Sequence, residues 1–119
     1  EVSISGLNSL ELTLVTQLTI NENIDIPNTF HFSNAFPNPF NPRTEFTVSI
    51  PEKSHVVVNI YDILGRQVAL LAKGDYSAGR YRMGWDGMMD MNAAAPSGVY
   101  LLVVQAGNHV FKHKMIMMK

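Results

Sequence analysis

Across residues 54–72 the chain alternates in a way that organises everything around it. Val56, Val58 and Ile60 interleave with Val57, Asn59 and Tyr61, and β-branched residues at a period of two favour a strand with one buried face. Asp62, Ile63, Leu64 and Gly65 then supply turn chemistry, with Gly65 free to take a positive φ, and Val68 and Leu71 resume an apolar run. The stretch predicts a β-hairpin. Residues 45–50 alternate the same way with Phe46, Val48 and Ile50 inward, and residues 80–85 with Tyr81, Met83 and Trp85 inward. Residues 99–104 are apolar at every position, as in a strand covered on both faces. Ala106, Gly107 and Asn108 predict a tight turn into a last strand over residues 109–118. The predicted core is Phe46, Val48, Val56, Val58, Ile60, Val68, Tyr81, Met83 and Trp85. Gly65 and Gly98 are expected where φ is positive or a side chain is excluded.

The rest of the chain fits between these strands. In residues 1–20, Leu10, Leu12 and Leu14 alternate before Val15, Leu18 and Ile20 continue out of step, which predicts a strand with a bulge near Val15. It reads as the last strand of a preceding domain or as an added edge strand. An unpaired Leu-rich strand is also an association surface, so self-association through residues 1–20, with a second copy covering it, is an expectation. Residues 21–28 are polar and turn-rich and read as a linker. Phe30 and Phe32 predict a short strand. Pro37, Pro39 and Pro42 exclude a helix and predict an ordered, partly polyproline-like crossing between sheets, with Phe36 and Phe40 plugging the core. Residues 73–79 and 86–97 read as loops. Strands spaced by about ten residues with turn signals between them suggest an all-β sandwich. Residues 1–25 are set apart as a linker or a preceding domain's strand, and residues 26–119 as one domain.

Composition narrows the class of function. A chain of 119 residues is long enough for one domain with a core of its own. The formal net charge of −1 gives no field for nucleic acid. No apolar run reaches the length of a membrane span. The absence of cysteine excludes disulfides and thiolate sites and fits an exported protein that avoids thiols. The first residue, Glu1, is neither an initiator Met nor the start of a signal peptide, so a piece of a longer protein is expected.

No cluster of chemistry-bearing residues stands out. Asp86, Asp90 and Asn92 offer oxygens, but the spacing lacks the twelve-residue calcium loop and its final Glu, and Asp86 reads as a cap of its loop. His31, His55, His109 and His113 are scattered; His109 and His113 fall on one strand face without a third ligand. No G-x-S-x-G elbow supports a hydrolase triad. Trp85 reads as an anchor between two sheets, Arg80 and Arg82 as a solvated face, and Lys112, Lys114 and Lys119 as edge protection. No catalytic residue, metal site or cofactor is expected.

Four stretches occur together in one family: the turn from Phe36 to Pro42, with Pro37, Asn38 and Pro39; Tyr61, Asp62, Ile63, Leu64, Gly65 and Arg66; Trp85, Asp86 and Gly87; and Ser97, Gly98, Val99 and Tyr100. In this the chain resembles the type A C-terminal sorting domain of type IX secretion substrates, found in the Bacteroidetes and related bacteria. The fold of that family is also similar to the Ig-like domain of the flagellar hook-capping protein. The resemblance runs from about residue 26 to residue 119. It implies an Ig-like β-sandwich of about seven antiparallel strands at the C-terminus of a larger exported protein. It implies passage through the periplasm to the cell surface or the medium, with the outer-membrane secretion machinery and an N-terminal cargo domain as partners. The sorting motifs it implies are Pro37, Asn38, Pro39, Tyr61, Asp62, Gly65, Arg66, Gly98, Tyr100, Lys114 and Lys119, with Trp85, Asp86 and Gly87 structural. The run from Lys114 to Lys119 fits the family's natural end. Met88, Met89 and Met91 depart from the family's loop, and Asn92 stands at a Gly position. Asn tolerates the left-handed conformation, and the Met side chains are expected as inward filler or as an adaptable contact surface.

Two functions from different classes follow: a non-catalytic sorting module, or an Ig-like accessory module that binds carbohydrate or packs on a neighbouring catalytic domain. Sugar sites use exposed aromatics. The outward positions read from the strands are Thr47, Ser49, Asn59, Arg80 and Arg82, with Tyr61 the one aromatic, which favours sorting.

Overall fold

The computed structural model describes residues 26–119. The expected strand, the linker up to residue 25 and the association surface in residues 1–20 lie outside the described residues. Seven strands follow in order: β1 (His31–Phe32), β2 (Thr44–Ile50), β3 (Ser54–Asp62), β4 (Gln67–Tyr76), β5 (Gly79–Trp85), β6 (Gly98–Ala106) and β7 (His109–Met117). They form two antiparallel sheets, one in the order β1-β2-β5 and one in the order β4-β3-β6-β7. No helix occurs among the described residues. This is an all-β, Ig-like sandwich.

The alternation places the core. Val56, Val58 and Ile60 from β3 and Tyr100, Leu102, Val104 and Ala106 from β6 are buried, facing Phe46, Val48, Ile50 and Trp85 of the other sheet. Each fully buried Val or Ile side chain stabilises the fold by roughly 1.5–3 kcal/mol. Val68, Tyr81 and Met83 are half-buried rather than buried. All three sit on edge strands, and Val68 lies at a register shift opposite Ile60 and Tyr61. Gly65 takes φ 83 and Gly107 φ 58 in the two hairpin turns, and Gly98 opens β6 at φ 158, so Gly65 and Gly98 both stand at positive φ, with open space where a side chain would be.

Other expectations need correction. Residues 73–76 belong to β4, because β3 keeps its partner as far as the Ser54–Tyr76 pair; Gly74 inside a strand gave a false loop signal. Residues 37–39 and 41–42 are bends rather than a polyproline-like run, and the Phe36–Pro37, Asn38–Pro39 and Asn41–Pro42 bonds are cis. Phe40 is buried as expected, against Trp85 at 5.8 Å between ring centres. Phe36 does not plug the core: it is 79% exposed. Its bridge to Glu45 puts it on the outer face of the three-stranded sheet, whereas Phe40 bridges Met117 on the inner face. Ser49 and Asn59 are buried, although both were expected outward. Each lies mid-sheet between two neighbours in register, His31 and Arg80 for Ser49, Leu70 and Val103 for Asn59. Residues 99–104 are not covered evenly: Val99 is exposed and Leu101 half-buried on the outer face of β6.

Candidate functional site

At one end of the sandwich the β3–β4 turn, the start of β6 and the loop after β5 surround a groove of about 910 Å³. Its walls are apolar: Ile63, Leu64, Val68, Met89, Met91 and Val99. Ile63, Leu64 and Met91 are each about three-quarters exposed, so they belong to the surface rather than to the core.

Asp62 builds the turn that holds up Ile63 and Leu64. Its Oδ1 accepts from the backbone N–H of Leu64 at 2.9 Å and of Arg66 at 3.0 Å, and its Oδ2 accepts from Arg66 Nε at 2.9 Å. The Asp62 backbone N–H donates to Arg66 O, closing the hairpin. The Arg66 N–H is the chief cause that holds the Asp62 carboxyl below its ordinary range; partial desolvation opposes it, and the guanidinium and the Leu64 N–H add to the lowering. An aspartate that bonds backbone two and four residues on is an Asx-type turn. With the carboxylate, the guanidinium and the Leu64, Gly65 and Arg66 amides engaged, the exposed tip presents two aliphatic side chains.

The opposite wall comes from residues 86–97. Asp86 Oδ1 accepts from the Met88 N–H at 3.0 Å, Trp85 Nε1 donates to Met88 O at 2.9 Å, and Ala95 N donates to Gly87 O. Asn92 takes φ 68, so the left-handed position expected there is kept. Gly87 is buried with φ 81, and a Cβ on it would stand 3.0 Å from Met117 Cε and 3.2 Å from Pro42 O. Asp90 fastens this loop to β4: its N–H donates to Val68 O, and its carboxylate accepts from the Leu70 N–H at 3.0 Å. The loop thus occupies the outward backbone groups of an edge strand. Met89 packs on the core as inward filler, while Met91 is exposed in the groove wall. Asp86 and Asp90 are bonded to backbone amides, and no group of three acidic or histidine side chains suited to a metal occurs among the described residues.

Gly98 and Tyr100 form the floor. The Tyr100 ring meets Trp85 edge-on at 5.0 Å, and its hydroxyl donates to Pro96 O at 2.5 Å. Burial, and secondarily the Asp62 charge, push its hydroxyl above the ordinary tyrosine range. Lys119 joins the same end through its N–H, which donates to Ser97 Oγ at 3.0 Å. Tyr61 is half-buried on the outer sheet face between Gln67 and Leu101.

The remaining expected motif residues meet elsewhere. Asn38, in the exposed turn between Pro37 and Pro39, donates through Nδ2 to Lys114 O at 3.0 Å and accepts through Oδ1 from the Ile116 N–H at 2.9 Å. Phe40 continues the pairing, its N–H donating to Ile116 O and its O accepting from the Met118 N–H. Thus Asp62, Arg66, Gly98 and Tyr100 share one groove, Asn38, carried by the turn between Pro37 and Pro39, meets Lys114 on β7, and Trp85 and Gly87 pack beneath. The groove's apolar walls were not anticipated as a site. Ile63, Leu64 and Val99 fall inside two of the stretches that carry the family resemblance, but only their being apolar in a turn or at a strand start marks them as walls of a groove.

Two packed antiparallel sheets with the two ends built from loops define an Ig-like domain. Residues 33–109 match the FlgD Ig-like domain family, and the chain belongs to that family. None of the curated proteins matches it. Among solved structures it is similar to dimeric latent PorU from Porphyromonas gingivalis, at 23% identity and a TM-score of 0.57 over 80% of this chain. It is also similar to PorZ, an essential surface component of the type IX secretion system of the same bacterium, at 18% identity and a TM-score of 0.45 over 76% of this chain. The chain spans only 10% and 11% of the length of these two proteins.

Proposed function

We propose that this chain is a non-catalytic C-terminal sorting domain that directs a larger exported protein through the type IX secretion system to the cell surface. The carrying observation is the placement of the motif residues. Asp62, Arg66, Gly98 and Tyr100 converge on one exposed apolar groove, and Asn38 and Lys114 meet on the last strand. Ile63, Leu64 and Met91 in the walls of that groove are exposed positions with little structural reason to be apolar, which suits recognition by another protein. Asp62 and Arg66 position the turn, Ile63 and Leu64 are the contact residues, and Trp85 and Gly87 hold the loop wall. The polar groups of the groove are bonded to backbone, or in Asp62 and Arg66 also to each other, rather than poised on a common reacting atom, which supports a binding role over catalysis.

The reading is tested by fusing the full chain behind a passenger and fractionating cells that carry a type IX system. Ile63→Ser with Leu64→Ser, and separately a deletion of residues 110–119, are expected to leave the passenger in the periplasm. Equal surface display by the Ser variant and the parent would sink the recognition role of the groove. The deletion removes a strand, so a melt of each fusion distinguishes lost sorting from lost folding.

A further inference from the structure

The strand at the other margin of the four-stranded sheet, β7, is only half closed. Its odd-numbered residues bond β6, beginning with the Ala106–His109 pair at the turn. The backbone groups of residues 110, 112, 114, 116 and 118 therefore point away from the sheet. From Lys114 onward they are taken: Asn38 holds Lys114 O and the Ile116 N–H, and Phe40 holds Ile116 O and the Met118 N–H. Among the described residues nothing bonds the outward groups of Val110 and Lys112, and the Val110 side chain is exposed. Beneath this open stretch runs a row of stacked rings, Phe30 on His109 at 4.0 Å, Phe32 on Phe111 at 5.5 Å and Phe111 on His113 at 6.1 Å. Phe30, Phe32 and Phe111 are only half-buried. Open donors and acceptors beside half-covered aromatics mark a place for one more strand.

We propose that residues 10–20 of the same chain add to the open edge of β7 as an antiparallel strand. Three observations favour this occupant. Direction is the first: residues 30–40 run alongside β7 in parallel, Phe30 beside His109 and Phe40 beside Met117, so a segment that precedes them and folds back runs antiparallel to β7. Reach is the second. Residues 21–29 span up to about 30 Å when extended, ample for a reversal beside His109. Because Asn38 and Phe40 already close the edge from Lys114 on, only the part of the segment opposite Val110 and Lys112 pairs with backbone. Chemistry is the third. Residues 10–20 alternate Leu10, Leu12 and Leu14, a pattern that covers the half-buried rings with one face. Residues 1–25 hold four acids, Glu1, Glu11, Glu22 and Asp25, and no Lys or Arg, while the remainder holds nine bases and six acids. Lys112 and Lys114 stand on the very strand that Glu11 would approach. Tethering makes the local concentration of the segment millimolar, which favours it over a second copy.

Amide hydrogen exchange on the full chain tests the inference, read at Val110 and Lys112, whose N–H groups point to the open edge. These amides are expected to be protected in a monomer. Leu12→Asp with Leu14→Asp is expected to speed their exchange about tenfold or more, with Leu102 and Val103 in the central strand unchanged. Lys112→Glu, at an exposed position, is a second variant with the same expected direction at Val110. Unprotected edge amides in the parent, or exchange that neither variant changes, would overturn the inference. Protection that grows with protein concentration alongside a dimer in light scattering would overturn it too, in favour of a second copy.

Discussion

Asn38 holds Ile116 as a neighbouring strand would. Its side-chain oxygen accepts the Ile116 N–H at 2.9 Å while its amide nitrogen donates to Lys114 O at 3.0 Å, so one amide replaces a backbone partner for the end of β7. The pairing joins positions 78 and 76 residues apart. Asn38→Ala removes both bonds at an exposed site. It is expected to cost about 1–2 kcal/mol and to speed exchange of the Ile116 amide while the Leu102 amide is unaffected. A urea melt together with exchange at these two amides checks it.

Ile60 and Ile63 are three residues apart and of one type, yet the first is fully buried and the second 75% exposed. Ile60→Ala is expected to cost roughly 2–5 kcal/mol by opening a cavity. Ile63→Ala is expected to shift stability by no more than about 0.5 kcal/mol. Denaturant midpoints at equal slope separate the two.

Gly65 and Gly87 share a positive φ but not a setting, since a Cβ is free of contacts at Gly65 and crowded by Met117 and Pro42 at Gly87. Gly65→Ala is expected to cost about 1–2 kcal/mol from backbone conformation. Gly87→Ala adds the crowding and should cost more. A larger loss at Gly65 would show that the loop after Trp85 yields easily.

Asp62 and Tyr100 are coupled in opposite senses. The Asp62 carboxyl is held low chiefly by the Arg66 N–H, so its stabilising contribution is complete above the ordinary aspartate value and is lost as pH falls through the lowered folded value. Tyr100 is held high first by burial and then by the Asp62 charge; its contribution is complete below the ordinary tyrosine value and is lost as pH rises through the raised one. In Asp62→Asn the parent's stability advantage is expected to shrink toward acid pH. The Tyr100 midpoint, followed by ultraviolet absorbance, is expected to move down toward the ordinary value. An unchanged Tyr100 midpoint would remove the charge contribution and leave burial alone.

How much of this was legible follows from where each signal lives. Val56, Val58 and Ile60 announce their strand because a period of two records one buried face. Gly65 and Gly107 announce their turns because few residues accept a positive φ. Phe36 and Phe40 look alike in the sequence because the prolines between them erase periodicity, and only their bridges to Glu45 and Met117 decide which face each takes. Asn59 looked outward by alternation, correctly as to face, but its neighbours Leu70 and Val103 bury it. The groove was hidden for a related reason. Ile63 and Leu64 sit in a turn, where alternation says nothing, and Met91 reaches them from 27 or more residues on. The grip of Asn38 on Ile116 leaves no trace in local sequence at all.

The most direct measurement of the central claim compares one fusion in two strains. A passenger followed by the full chain is expressed in a bacterium with type IX secretion and in an otherwise identical strain lacking it, and surface, periplasm and medium are assayed. The account predicts passenger at the surface or in the medium only where the system is present, and in the periplasm where it is absent. The same distribution in both strains, with the fusion folded in each, would contradict it.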